Sequence, residues 1–150
     1  AAIGELIVSC KMPDDFKSFV GTSLRSLERK DYSWFFVFGD SLRIDTESFW
    51  RFVAPEGIIV TSEDHGHQFG LPQPVGAAQR VTSRLAGHRI QSVGCDPQTG
   101  DLLVTFEERL CLQFLQPSCG YESWRATTPY GESICMGGGE IAYFPATKNS

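Results

Sequence analysis

Between residues 14 and 30 the apolar positions Phe16, Phe19, Val20, Leu24 and Leu27 recur at spacings of three and four, the signature of one helix face. Asp14 and Asp15 stand at the start of this stretch and Arg25, Arg29 and Lys30 at its end, which complements a helix dipole at both termini. Gly21 lies inside it, at a cost of about 1 kcal/mol relative to Ala. The pattern predicts an amphipathic helix over residues 14–30. A second is predicted over 74–86, with Pro74 in its first turn, Ala78, Val81 and Leu85 on one side, and Gly87 placed to stop it.

Elsewhere the pattern shortens to runs rich in β-branched and aromatic residues and bounded by Gly, Pro or Asp. These predict strands at 6–9, 34–38, 42–44, 49–53, 58–61, 89–93, 102–106, 110–114, 123–126, 133–136 and 141–144. Between two of them, Pro97 presets one turn angle and Gly100 supplies positive φ, so residues 89–114 read as a three-stranded antiparallel meander.

The chain also echoes itself. Phe38 and Leu42 are four apart, as are Phe106 and Leu110; Trp50 is followed by Arg51, Pro55 and Gly57, and Trp124 by Arg125, Pro129 and Gly131 at the same offsets. With a predicted helix ahead of each copy, the echo implies two diverged helix-plus-sheet units, 14–70 and 74–146, related by a pseudo-twofold within one domain spanning 1–150. The expected fold class is α+β, antiparallel sheets with two amphipathic helices.

Length and composition fit a globular domain with an ordinary apolar fraction. Five cysteines, odd in number and without a C-x-x-C pair, indicate neither a disulfide framework nor a zinc ribbon. There is no apolar run of membrane-spanning length, and AAIGELIVSC lacks the basic and apolar regions of a signal peptide, so a cytoplasmic location is expected.

Charge changes the picture more. Residues 31–64 hold seven acids and two bases, equal to the whole net charge of −5, whereas 76–95 hold Arg80, Arg84 and Arg89 and no acid. An acidic protein of this kind lacks the basic footprint of a nucleic-acid binder, and neither nucleic acid nor membrane is an expected partner.

Candidate chemistry is sparse. His65 and His67, two apart with Glu63 on the same parity, could begin a metal site and the centre of a metal-dependent hydrolase, but exposed turn residues are the simpler reading. No G-x-S-x-G elbow accompanies the three histidines, and the adjacent carboxylates Glu63–Asp64 and Glu107–Glu108 would face opposite ways in a strand. The run MGGGEI at 136–141 lacks the lysine of a phosphate loop and suits a tight β-connection. No catalytic residue, metal or cofactor is expected.

The stretches FGLPQP, TGDLLVTF, GYESWRATTP and MGGGEIAYF, over about residues 69–144, resemble a family of small bacterial domains of uncharacterised function. These are themselves similar to immunity proteins of polymorphic-toxin and contact-dependent-inhibition systems. The resemblance rests on Tyr121, Glu122, Ser123, Trp124 and Gly137–Gly139 with Glu140, and implies a fold rather than a mechanism. Together with the acidic segment it gives the expectation of a non-enzymatic protein that binds a cognate toxin domain, plausibly a nuclease, and covers its active site or substrate groove. The expected contact residues are Asp40, Asp45, Glu47, Glu56, Glu63 and Asp64. A ligand-binding or scaffold domain is the alternative.

Overall fold

The computed structural model describes residues 14–147. The expected strand at 6–9 lies outside them. Eleven strands among the described residues form two antiparallel sheets. They are β1 (Leu24–Lys30), β2 (Ser33–Phe38), β3 (Leu42–Thr46), β4 (Trp50–Ala54), β5 (Gly57–Thr61), β6 (Ile90–Cys95), β7 (Leu102–Phe106), β8 (Cys111–Phe114), β9 (Trp124–Thr128), β10 (Gly131–Cys135) and β11 (Ile141–Pro145). One sheet runs β1-β2-β3-β9-β10-β11, the other β5-β4-β8-β7-β6. A single α-helix, α1 (Ala77–Leu85), lies between β5 and β6 in sequence and packs Ala77, Val81 and Leu85 against β1 and β5.

The fold is therefore mostly β, and the α+β expectation with two amphipathic helices is corrected. The second predicted helix is α1. The first is not a helix beyond a 3-10 segment at Asp14–Phe19. Gly21 sits at φ +88°, outside the helical region, and the hydroxyl of Thr22 donates to the Phe19 carbonyl at 2.7 Å and closes the turn. Beyond it, Leu24–Lys30 is taken by β2, whose strand needs an antiparallel partner; Lys30 faces Ser33 across the two-residue turn Asp31–Tyr32. Ladder hydrogen bonds along a whole strand outweigh a local helical pattern. Phe16 and Phe19 remain buried, but through the 3-10 turn.

The helix-plus-sheet units expected from the echo are also absent, because each half of the chain places strands in both sheets. Read from its β6 edge, the second sheet is β6-β7-β8-β4-β5, and the first is β1-β2-β3-β9-β10 with β11 added. Each half thus builds a three-stranded meander and sends its next two strands to the other sheet. The meander over 89–114 is one of these. Trp50 opens β4 and Trp124 opens β9, the two strands that cross over, so the repeated Trp-Arg motif marks the exchange between sheets.

Alternation sets the core. Trp34, Phe36 and Phe38 of β2 are buried, while Ser33, Phe35 and Val37 between them are only partly so. The buried rings meet the facing sheet edge to face: Trp34 and Phe36 lie 5.1 and 5.2 Å from Trp50, and Phe36 lies 4.9 Å from Phe114.

Strand direction gives the molecule two unlike ends. At one, short turns join β2 to β3, β4 to β5, β7 to β8 and β9 to β10. The other holds the long connections 62–76, 96–101, 115–123 and 136–140 together with the crossing 47–49 and the β1–β2 turn. Trp34, Thr46 and Trp124 are register partners at this loop end, and Trp34 packs on Trp50 there, so both sheets open onto it.

Candidate functional site

At the loop end the scaffold is made by glycines and one glutamine. The amide of Gln116 donates to the carbonyls of Tyr121 (3.0 Å) and Met136 (2.7 Å), Gly138 N–H donates to the Ser118 carbonyl (2.9 Å), and the Trp124 indole donates to the Gly100 carbonyl (2.9 Å). Gly138 and Gly139 take φ +86° and +101°, and a side chain at Gly137 would collide with the backbone of Gly120. Three connections are thereby fastened to one another. The motif MGGGE is a tight packing junction, as its spacing suggested, and no phosphate loop.

Beside this junction, on the outer face of the six-stranded sheet, a cleft of about 230 Å³ is lined by Ser33, Asp45, Glu47, Glu122, Ser123 and Arg125 among others. Its floor is a cross-strand pair, Asp45 of β3 opposite Arg125 of β9. Arg125 lies 3.8 Å from Glu122 and 3.7 Å from Glu132, and Arg43 Nε lies 3.4 Å from Asp45 Oδ1. The Ser33 hydroxyl donates to Glu47 at 3.2 Å. Burial pushes the Asp45 carboxyl above its usual range despite the two guanidiniums nearby. In the cleft Ser123 Oγ is buried without a hydrogen-bond partner among the described residues, and the buried Asp45 Oδ1 has the 3.4 Å ion-pair contact with Arg43 in place of a well-formed hydrogen bond. Four carboxylates against two guanidiniums leave the face acidic. Tyr32, next in the chain to Ser33, is 78% exposed, and Tyr121, next to Glu122, is 81% exposed.

The six acids expected to act together are divided. Asp45, Glu47, Glu63 and Asp64 lie toward the loop end; Asp40 and Glu56 sit in the β2–β3 and β4–β5 turns at the opposite end. Besides the Asp45–Arg43 and Glu47–Ser33 contacts, two more of the six are occupied locally. Glu56 forms a bidentate pair with Arg84 at 2.8 and 3.0 Å, which holds its carboxyl below the usual range, and Asp64 accepts the Thr61 N–H at 3.0 Å. Glu122 and Arg125, which line the cleft, and Glu132, which pairs with Arg125 beside it, were missed. They reach it because β9 pairs with β3, a contact between residues some eighty positions apart that no local pattern announces.

The histidines have structural work. His65 Nδ1 accepts the Ala77 N–H at 3.2 Å, standing in for a helix cap, and its ring packs edge-on to Trp34 at 5.2 Å. Burial, then the nearby Arg29, lowers its pKa. His67 stacks on Phe69 at 5.5 Å. No group of three or more His, Cys, Asp or Glu side chains among the described residues is placed to hold a metal ion, and no helix among them is long and apolar enough to cross a membrane.

Two interleaved antiparallel sheets, with an acidic cleft at the loop end, define a mostly β protein. The chain belongs to a family of unknown function, DUF6188, whose model matches residues 35–145. That span reaches well upstream of the resemblance seen from Phe69 onward and includes both copies of the Trp-Arg motif. No curated protein and no solved structure matches the chain.

Proposed function

We propose that this protein is a binding protein of the immunity kind, which neutralises a cognate toxin domain by setting its acidic loop end against a basic surface of that domain. The observation that carries the reading is the cleft at Asp45 and Arg125. It concentrates Asp45, Glu47 and Glu122, with Glu132 beside them on Arg125, buries a Ser123 hydroxyl that the described residues leave without a hydrogen bond, and is flanked in sequence by two exposed tyrosines. Unsatisfied buried acceptors gain most from a donor supplied by another molecule. Exposed tyrosines beside charged residues are the composition of interface anchors and their rim. Covering a nuclease groove in this way would imitate the phosphates that groove receives.

The test is co-expression with the product of the neighbouring gene, scored for rescue of toxicity and for a complex that co-purifies. Reversing charge at Glu47 and Glu122 is expected to slow association and flatten its salt dependence, since rim charges act over about 8 Å at physiological ionic strength. Affinity that neither salt nor these reversals alter would defeat the assignment of the acidic face. The unpartnered Ser123 hydroxyl also suits a small-ligand reading, which a thermal-shift screen separates: a small molecule that raises Tm, with the effect lost on Ser123→Ala, favours it.

A further inference from the structure

The loop from His67 to Val75 has no part in the cleft, yet its geometry is costly and specific. Its neck is closed by two backbone hydrogen bonds, Val75 N–H to His67 carbonyl at 2.7 Å and Gly66 N–H to Val75 carbonyl at 2.9 Å. Val75 is buried beneath it, and His65 ties its base to the start of α1. At the tip, Leu71 N–H donates to the Gln68 carbonyl at 2.8 Å across Phe69 and Gly70, which take φ +47° and +74°. The Gln68 amide returns to the Leu71 carbonyl at 2.7 Å, and Pro72 and Pro74 stiffen the descending limb.

Two consecutive positive φ angles are what asparagine and glycine adopt readily in a tight turn. Here the first position is phenylalanine, whose side chain clashes in that region. Its ring packs no core: Phe69 is 66% exposed, supported from one side by the stacked His67 ring, with Leu71 also 41% exposed. A turn selected only to connect β5 to α1 gains nothing from a large apolar ring held out in water on a strained backbone.

We infer that Phe69 is an anchor for the basic partner protein, its ring entering an apolar pocket on that partner beside the surface that meets the acids. The partner's chemistry follows from position. The loop follows Glu63 and Asp64, and His65 packs on Trp34, next in the chain to the cleft residue Ser33, so ring and acids belong to one end of the molecule. A surface complementary to that end is basic around an apolar pocket. Since the loop is closed and proline-stiffened before binding, little ordering entropy remains to be lost. This inference rests on the proposed function for the identity of its partner, and its test separates the two.

The variant is Phe69→Asn, which keeps the turn and removes the ring. In the isolated protein it is expected to raise the folded-to-unfolded ratio about fivefold in urea titration, because asparagine tolerates the left-handed region. A fall in stability would mean that the ring serves the fold, and would overturn the inference. With the neighbouring-gene product, Phe69→Asn is expected to speed dissociation about 10- to 100-fold with little change in the association rate, the reverse of the effect expected at Glu47 and Glu122. Unchanged dissociation in a complex that those charge reversals weaken would overturn the anchor and leave the proposed function standing. No complex at all would overturn both. If the chain alone sediments as a dimer that Phe69→Asn dissociates, or binds anionic lipid vesicles only with Phe69 present, the ring belongs to self-association or to a membrane and the inference falls.

Discussion

Two histidines titrate in opposite senses because their neighbours differ. His65 must stay neutral at Nδ1 to accept the Ala77 N–H, and its pKa lies below the usual 6.5, lowered first by burial and then by Arg29. Between the folded and unfolded values the unfolded state binds more protons. The contribution of His65 is therefore complete above the unfolded pKa and is lost as pH falls through the folded one. His88 is raised by its 3.0 Å contact to Glu108, so its contribution is complete at low pH and fades as pH rises through its folded pKa. NMR titration of the imidazole protons should find His65 below and His88 above the usual value. His65→Gln should reduce the loss of stability between about pH 7 and about pH 5, read as the shift in urea midpoint. A His65 resonance titrating at or above the unperturbed value would contradict the capping role.

A second consequence at this scale concerns the β7–β8 turn, where Glu108 and Arg109 sit at φ +60° and +63°. This is the backbone of a two-residue hairpin turn that Asn-Gly fits without strain. The double change Glu108→Asn with Arg109→Gly is expected to stabilise the protein by about 1 kcal/mol, measured by urea unfolding at a pH where His88 is neutral and its pairing to Glu108 contributes least. A loss of stability there would mean that Glu108 is held by more than His88.

Among the elements, the connections at the loop end matter more than the strands for what the protein presents. Gly137–Gly139, 115–123 and 96–101 are packed so closely that no Cβ fits at Gly137 without displacing Gly120, and Tyr121 and Glu122 hang from the same junction. Gly137→Ala is expected to cost about 1–3 kcal/mol through overpacking and to alter the amide chemical shifts of 119–125 while those of α1 stay put. A neutral substitution would show that the junction can yield. The element misread from sequence is instructive here. Residues 14–30 carry a sound helical period, but a helix would leave the edge of β2 unpaired, and Gly21 with the Asp31–Tyr32 turn lets the chain pair instead.

The whole molecule is held by an exchange of strands: β8 finds its outer partner in β4 and β3 finds its own in β9. Neither half can complete a sheet alone, although the repeat in the sequence invites the view that it could. Fragments 14–70 and 74–147, expressed separately, are expected to give unfolded far-UV spectra and collapsed amide dispersion. A folded fragment would show that strand exchange is dispensable. The same exchange creates the cleft, since Asp45 and Arg125 become neighbours only when β3 of the first half accepts β9 of the second.

Most strands, α1, the meander over 89–114 and the scaffold role of the glycine run were legible from residue order, because alternation, proline, glycine and short-range turn chemistry act between residues close in the chain. The acidic bias of 31–64 was legible too, as a count without a shape. Which acids share a face, that Arg125, Glu122 and Glu132 join them, that His65 caps a helix, and that 24–30 is a strand were decided by tertiary structure. Each depends on a partner distant in sequence whose hydrogen bonds or apolar surface outweigh the local preference, and such partners are chosen only when the sheets close.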